Sequence, residues 1–184
     1  MARPAEEQGL GQDIRQVDAS TFDGIVARHS AEVAQLANRL LGWPGDVDDV
    51  VQDVFLAAYR ARAGFRGQCQ VKTWLFTIAI NRCRSLQRRQ RLHRMALFRM
   101  AQETQASAQG AGHCRDEYVL KVRQALGRLA RRYREPAVLW YLQEMPADEI
   151  CQVLGVAKNT LYVRLARARE QLRGLLTDTE DSHE

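Results

Sequence analysis

The sequence predicts an all-α protein built from two small helical domains joined by a flexible linker. Three observations predict it. Apolar residues recur at three- and four-residue spacing through 22–41, 47–59 and 71–90, and again between 119 and 172, which is the period of a helix with one buried face. No stretch of useful length alternates apolar with polar residues as a half-buried strand does. Between the two periodic halves lies AQETQASAQGAGHCRD, residues 101–116, small, polar and rich in Gly, Ala and Gln, which is a linker composition. The expected division is a disordered start at 1–19, a first domain at 20–100, the linker at 101–116, a second domain at 117–175 and a disordered tail at 176–184.

The first helix opens at Ser20, which with Asp23 reads as a variant capping box. Phe22, Ile25, Val26, His29, Val33, Leu36, Ala37, Leu40 and Leu41 then keep its period up to Gly42, and GWPGD breaks the chain. The second helix begins DVDDVVQD, with its acids at the positive end of the helix dipole. Its core face is Val47, Val50, Val51, Val54, Phe55, Ala58 and Tyr59. Asp49, Gln52, Asp53, Leu56 and Arg60 share the opposite face, an acidic rim around one apolar contact. One exposed Leu on an acidic helix head is equally the ordinary state of a solvated surface.

After the glycine-bearing loop GFRGQCQ, the third helix runs from about Val71 to Gln90, with a continuation or restart towards Met100. Leu75, Phe76, Ala79, Ile80, Cys83 and Leu86 fill one side. Trp74, Thr77, Asn81, Arg84, Ser85 and Arg88 fall within about 100° of one another on the other. Charge is distributed unevenly. Residues 54–102 hold eleven Arg or Lys and no acid, whereas 1–53 hold ten acids and four bases and 103–184 hold twelve of each. Arginines without local acids suit a phosphate backbone, an aromatic beside them suits an unstacked base, and Asn can read a base edge. Arg66, in the preceding loop, belongs with them. The competing reading is a solvated basic surface with Trp74 tucked into the core.

In the second domain Val119, Val122, Leu126 and Leu129 define a helix. Pro136 fits the first turn of the next, with Val138, Leu139 and Leu142 behind it. In ADEICQVLGVAKNTLYVRLARARE, Ile150 and Leu154 face a core, Gly155 makes a turn and Val156 packs after it. Leu161, Leu165, Ala168 and Leu172 form the buried stripe of the last helix, with Thr160, Arg164, Arg167 and Gln171 lined up opposite it. This is the layout of a helix-turn-helix whose second helix enters a major groove, where Lys158, Asn159, Thr160 and Arg164 would meet bases and phosphates. An ordinary αα-hairpin with a basic surface is the alternative.

Other classes of function find little support. Cys69, Cys83, Cys114 and Cys151 form no CxxC pair, and the lone His29 and His93 lack acidic or Cys neighbours at ligand spacing, so neither metal nor cofactor is expected. No nucleophile–base pair, phosphate loop or paired-carboxylate cluster is present, so an enzyme is not expected. Met1 to Gln12 has no apolar core segment, and no run of about 18 apolar residues exists. The expectation is a cytoplasmic protein with reduced thiols and no membrane insertion.

Taken in order, these segments resemble the extracytoplasmic-function sigma factors of bacterial RNA polymerase. DVDDVVQDVFLAAYR, 46–60, is similar to the family's polymerase-binding helix in region 2.2. TWLFTIAINRCRSLQRR, 73–89, is similar to the promoter-melting and −10-reading helix of regions 2.3 and 2.4. Residues 126–173 resemble region 4, whose helix-turn-helix reads the −35 element. The chain departs from the family at Cys151, where a small residue is usual, and at NTLYV, 159–163, where Gly-Thr-Val-Lys-Ser is frequent. The resemblance implies core RNA polymerase and promoter DNA as partners. The Leu56 face would meet the clamp helices of the polymerase's largest subunit. Trp74–Arg88 would hold the separated strand, and the linker would run towards the RNA exit path. It also implies an anti-sigma factor that holds the chain silent. Two alternatives from the residues are a stand-alone helix-turn-helix regulator of duplex DNA and a helical protein that binds single-stranded RNA or serves a structural role.

Overall fold

A computed structural model describes residues 19–42, 46–100 and 117–177. The ends expected to be disordered are 1–19 and 176–184; Ala19, Leu176 and Thr177 are instead helical, and the rest of both ends, the 101–116 linker and residues 43–45 lie outside the described residues. Seven helices carry the described chain: α1 (Ala19–Leu41), α2 (Val47–Ala61), α3 (Val71–Met100), α4 (Glu117–Arg128), α5 (Arg131–Ala137), α6 (Ala147–Leu154) and α7 (Lys158–Thr177). A 3₁₀ turn, Arg62–Gly64, follows α2, and a π-helical turn, Val138–Leu142, continues α5. There is no strand among the described residues.

The first domain is a three-helix bundle in which α1, α2 and α3 pack on one another. Ile25, Val33, Leu36 and Leu41 of α1, Val54 of α2 and Leu75, Phe76 and Ile80 of α3 are almost wholly removed from water. Each contributes about 1.5–3 kcal/mol of hydrophobic stabilisation. The bundle is tied at its flank by Glu32, which accepts from Lys72 of α3 at 2.6 Å and contacts His29 at 3.1 Å. Burial pushes the Glu32 carboxyl up, but the hydrogen bonds from Lys72 and His29 outweigh it and hold it below its usual value. His29 is thus a buried structural partner, and the reading that it lacks an acidic neighbour is wrong, because Glu32 stands three residues on.

Several boundaries differ from the sequence reading. α1 already includes Ala19, so Ser20 lies within it. α3 is unbroken to Met100. Tyr59, expected in the core, is 36% exposed and meets Phe22 edge-on at 5.2 Å. It sits where the α2 core face turns towards solvent, and Arg62 stacks on it at 3.8 Å. Pro136 is inside α5, well past its first turn. Proline offers no amide to the carbonyl four residues back. The ladder then loosens into the π turn, where the Gln143 amide reaches back five residues to the Val138 carbonyl at 3.0 Å.

α6, Gly155 and α7 form the expected helix-turn-helix. Gly155 is left-handed at φ 66°, ψ 41°, a region open to glycine at little cost. The amides of Gly155 and Val156 both donate to the Cys151 carbonyl, at 2.9 and 3.1 Å, closing α6 with a left-handed glycine cap. Ile150, Leu161 and Ala168 are fully buried between α6 and α7. Val153 fills the core position expected of Leu154, which is half-buried.

The two domains share a continuous apolar core, and polar contacts among the described residues pin them. Arg39 of α1 donates to the Leu142 carbonyl. Thr73 of α3, 1% exposed, donates to Glu149 of α6 at 2.8 Å. Arg84 of α3 grips Glu135 of α5 through two bonds of 2.9 and 2.7 Å.

Candidate nucleic-acid interface

Three faces were expected, and each is built differently. On α2, Asp49, Gln52, Asp53, Leu56 and Arg60 are all exposed and share one side. Leu56 stands 44% exposed among them. Asp48 and Asp49 occupy the first turn, where their charge opposes the helix dipole.

On α3 the expected row divides. Asn81, Ser85 and Arg88 are open to solvent, and Arg66 is open in the loop before the helix. Trp74 is half-buried, its ring 4.9 Å from that of buried Phe65 and tilted 41° to it. The Thr77 hydroxyl donates to the Thr73 carbonyl of its own helix at 2.9 Å. Arg84 donates to the Asn81 side-chain oxygen at 3.2 Å and is held by Glu135. These arginines find no acid within their own segment, as expected, and in the fold Arg84 takes one from α5. The Glu135 bonds and charge raise the Arg84 pKa above its ordinary value.

Glu135 and Thr73 were missed by sequence reasoning. Glu135 is 6% exposed and lies just ahead of the apolar run PAVLWYL. An acid at the edge of such a run is the available signal, because a buried carboxylate demands a partner.

On α7, Lys158, Asn159, Thr160 and Arg167 are exposed, and Arg164 is half-buried. The stripe Thr160–Arg164–Arg167–Gln171 lies beside the buried stripe rather than opposite it. Val163, 63% exposed, projects from the middle of the open side. Tyr162 is half exposed, with its ring 6.2 Å from Trp140. Two of the basic groups hold weak local partners: Lys158 meets Asp148 at 2.7 Å and Arg167 meets Glu170 at 2.9 Å. All four side chains are more than half exposed, so these pairs are worth little and can be exchanged for phosphate. Arg169 donates to the Tyr141 hydroxyl at 3.1 Å and seats α7 on the π turn.

The remaining reactive groups are quiet. Burial first, and Glu135 second, push the Cys83 thiol up to about 12. Burial also raises Cys69 and Cys151. No group of three or more His, Cys, Asp or Glu side chains among the described residues could hold a metal. No helix among them is long and apolar enough to cross a membrane.

Comparison with known proteins supplies the frame for these faces. The model of Sigma-70 region 2 matches residues 25–93, and that of Sigma-70 region 4 matches 120–172. The chain is 32% identical to the RNA polymerase sigma factor NccH of Alcaligenes xylosoxydans xylosoxydans, over 98% of this chain and 100% of that one. It is 31% identical to the ECF RNA polymerase sigma factor SigM of Mycobacterium tuberculosis, over 86% of this chain and 79% of SigM. The solved structure of CnrH in complex with the cytosolic domain of CnrY is 32% identical, with a TM-score of 0.69 over 97% of this chain and 99% of that one. A stand-alone helix-turn-helix regulator would have no need of the region 2 half. A helical protein that binds single-stranded RNA would have no need of the region 4 turn. With both halves matched in order, the chain belongs to the extracytoplasmic-function sigma factors, the RNA polymerase subunits that direct transcription initiation.

Proposed function

We propose that the three faces divide the work of a dissociable specificity subunit. Asp49, Gln52, Asp53, Leu56 and Arg60 bind core polymerase. Arg66, Trp74, Thr77, Asn81, Arg84 and Arg88 hold the opened strand at the −10 element. Lys158, Asn159, Thr160, Arg164 and Arg167 engage the −35 element as duplex. The observation that carries this reading is the exposure of Leu56 inside its acidic rim, on a helix that belongs to the same bundle as the acid-free α3. A duplex-binding protein alone needs neither. The reaction chemistry stays with the polymerase, so the chain itself needs no catalytic group or cofactor, and its place is the cytoplasm.

An anti-sigma factor is the remaining partner in this reading. Support comes from CnrH, whose solved structure is a complex with the cytosolic domain of CnrY. The experiment is a pull-down of core polymerase followed by run-off transcription, with wild type and Leu56→Arg. Because this face is exposed, the variant should keep its helicity and lose at least tenfold in affinity for core, about 1.4 kcal/mol. Run-off product should fall with it. Wild-type affinity for Leu56→Arg would remove this face from the polymerase interface.

A further inference from the structure

Between α3 and α5 lies an open cleft of about 880 Å³, lined by Arg84, Arg88 and Arg91 on one wall and Arg131, Arg132 and Arg134 on the other. Among the described residues no acid and no Lys lines it. Among the described residues the one carboxylate bonded to these arginines is Glu135, taken up by Arg84 and only 3.8 Å from Arg131. No other ion pair to these six arginines is seen among the described residues. Arg132 rests on the Tyr133 ring, its guanidinium 4.7 Å from the ring centre. Arg134 is the least settled: its Nε is buried without a hydrogen-bond partner. Burial depresses its pKa below the ordinary guanidinium value. An anion beside it would satisfy the orphaned donor and reverse that penalty.

We infer that this cleft binds a phosphate-bearing polyanion smaller than promoter DNA, such as an oligophosphate or a nucleoside polyphosphate. Guanidinium forks on two facing walls match phosphate oxygens in pairs, which favours phosphate over isolated carboxylates. The volume lies within the range of small-ligand sites. Because the walls come from different domains, the cleft exists only while the domains are closed on each other. A bound anion ties α5 to α3 and occupies Arg88, so it competes with the opened strand and favours the silent form. The inference goes beyond the assignment of the three faces, since Arg131, Arg132 and Arg134 have no part in them.

The test is calorimetric titration of the full chain with inorganic tripolyphosphate at about 0.15 M salt, without polymerase or promoter. Saturable one-to-one binding is expected. The Arg131→Gln/Arg132→Gln double variant should weaken it at least tenfold. Both side chains are exposed, so helicity should be unchanged, and circular dichroism checks this. Arg28→Gln, an exposed arginine of α1 outside the cleft, should bind like wild type. A distance reporter between the two domains should show closure tightening on binding. No saturable binding, or equal losses for Arg28→Gln and the double variant, would overturn the inference. Tighter binding of hexaglutamate than of tripolyphosphate would overturn it too and point to an acidic protein segment. Each of these outcomes leaves the proposed function standing, since neither polymerase nor promoter is in the cell.

Discussion

α3 and α7 are both amphipathic helices with a buried stripe and a row of arginines, but their arginines are held differently. On α7, Arg167 has a partner three residues away on its own helix, and Lys158 one on the adjoining α6. These groups stay in solvent and can exchange a carboxylate for a phosphate at little cost. On α3, Arg84 is half-buried and bonded twice to Glu135, which belongs to the other domain. The difference teaches that in this closed arrangement the helix proposed to read the duplex is available, whereas part of the helix proposed to hold the opened strand is engaged by the chain itself. Thr73 and Arg84 lie on one flank of α3 and are covered by α6 and α5, while Asn81, Ser85 and Arg88 stay open.

The largest way to break this comparison is Glu135→Ala. It leaves Arg84, Arg131 and Arg134 facing one another with no carboxylate between them. Losing one partner of a buried pair costs about 3–5 kcal/mol, and the low end, about 3 kcal/mol, fits here because Arg84 retains some solvent. Urea unfolding of the full chain measures the loss. Binding of α7 to a −35 duplex should be unaffected. A variant as stable as wild type would mean that the closed arrangement does not depend on this pair.

A smaller effect sharpens the α7 side. Arg164→Ala should reduce use of the upstream promoter element. If Arg164 grips a guanine through two bonds, discrimination falls by about 1–3 kcal/mol at one base pair. If it touches only phosphate, binding falls evenly across sequences and the salt slope flattens by about one. Unchanged promoter occupancy would take Arg164 out of the interface.

Much of this was legible in the sequence because helical periodicity is local. Leu75, Phe76, Ala79, Ile80 and Cys83 were placed in the core by spacing alone, and they are buried. Gly155 was readable because a left-handed helix end selects glycine. Tyr59 was misplaced because periodicity marks a face but not where its edge meets solvent. The π turn was hidden because Pro136 suits a first turn equally well. Closure of the domains was not legible at all. Thr73 and Glu149, or Arg84 and Glu135, are joined across 76 and 51 residues of chain, and no local pattern links such pairs. Of the α3 face, the sequence identified the residues but not which of them the second domain would cover.

The claim at the centre of this account is that the open stretch of α3 holds DNA that is no longer double-stranded. Trp74 to Arg88 spans about 21 Å at 1.5 Å per residue, enough for several nucleotides of extended backbone. Asn81 lies in the middle of that span, exposed, with its side-chain oxygen facing Arg84. The direct measurement is permanganate footprinting with run-off transcription for Asn81→Ala, on a duplex promoter and on the same promoter pre-opened by a mismatched bubble. The account predicts reduced melting of the duplex and partial recovery of transcription on the bubble, because duplex capture rests on phosphate contacts elsewhere. If Asn81→Ala melts and transcribes the duplex promoter like wild type, the face is a solvated basic surface and the claim is contradicted.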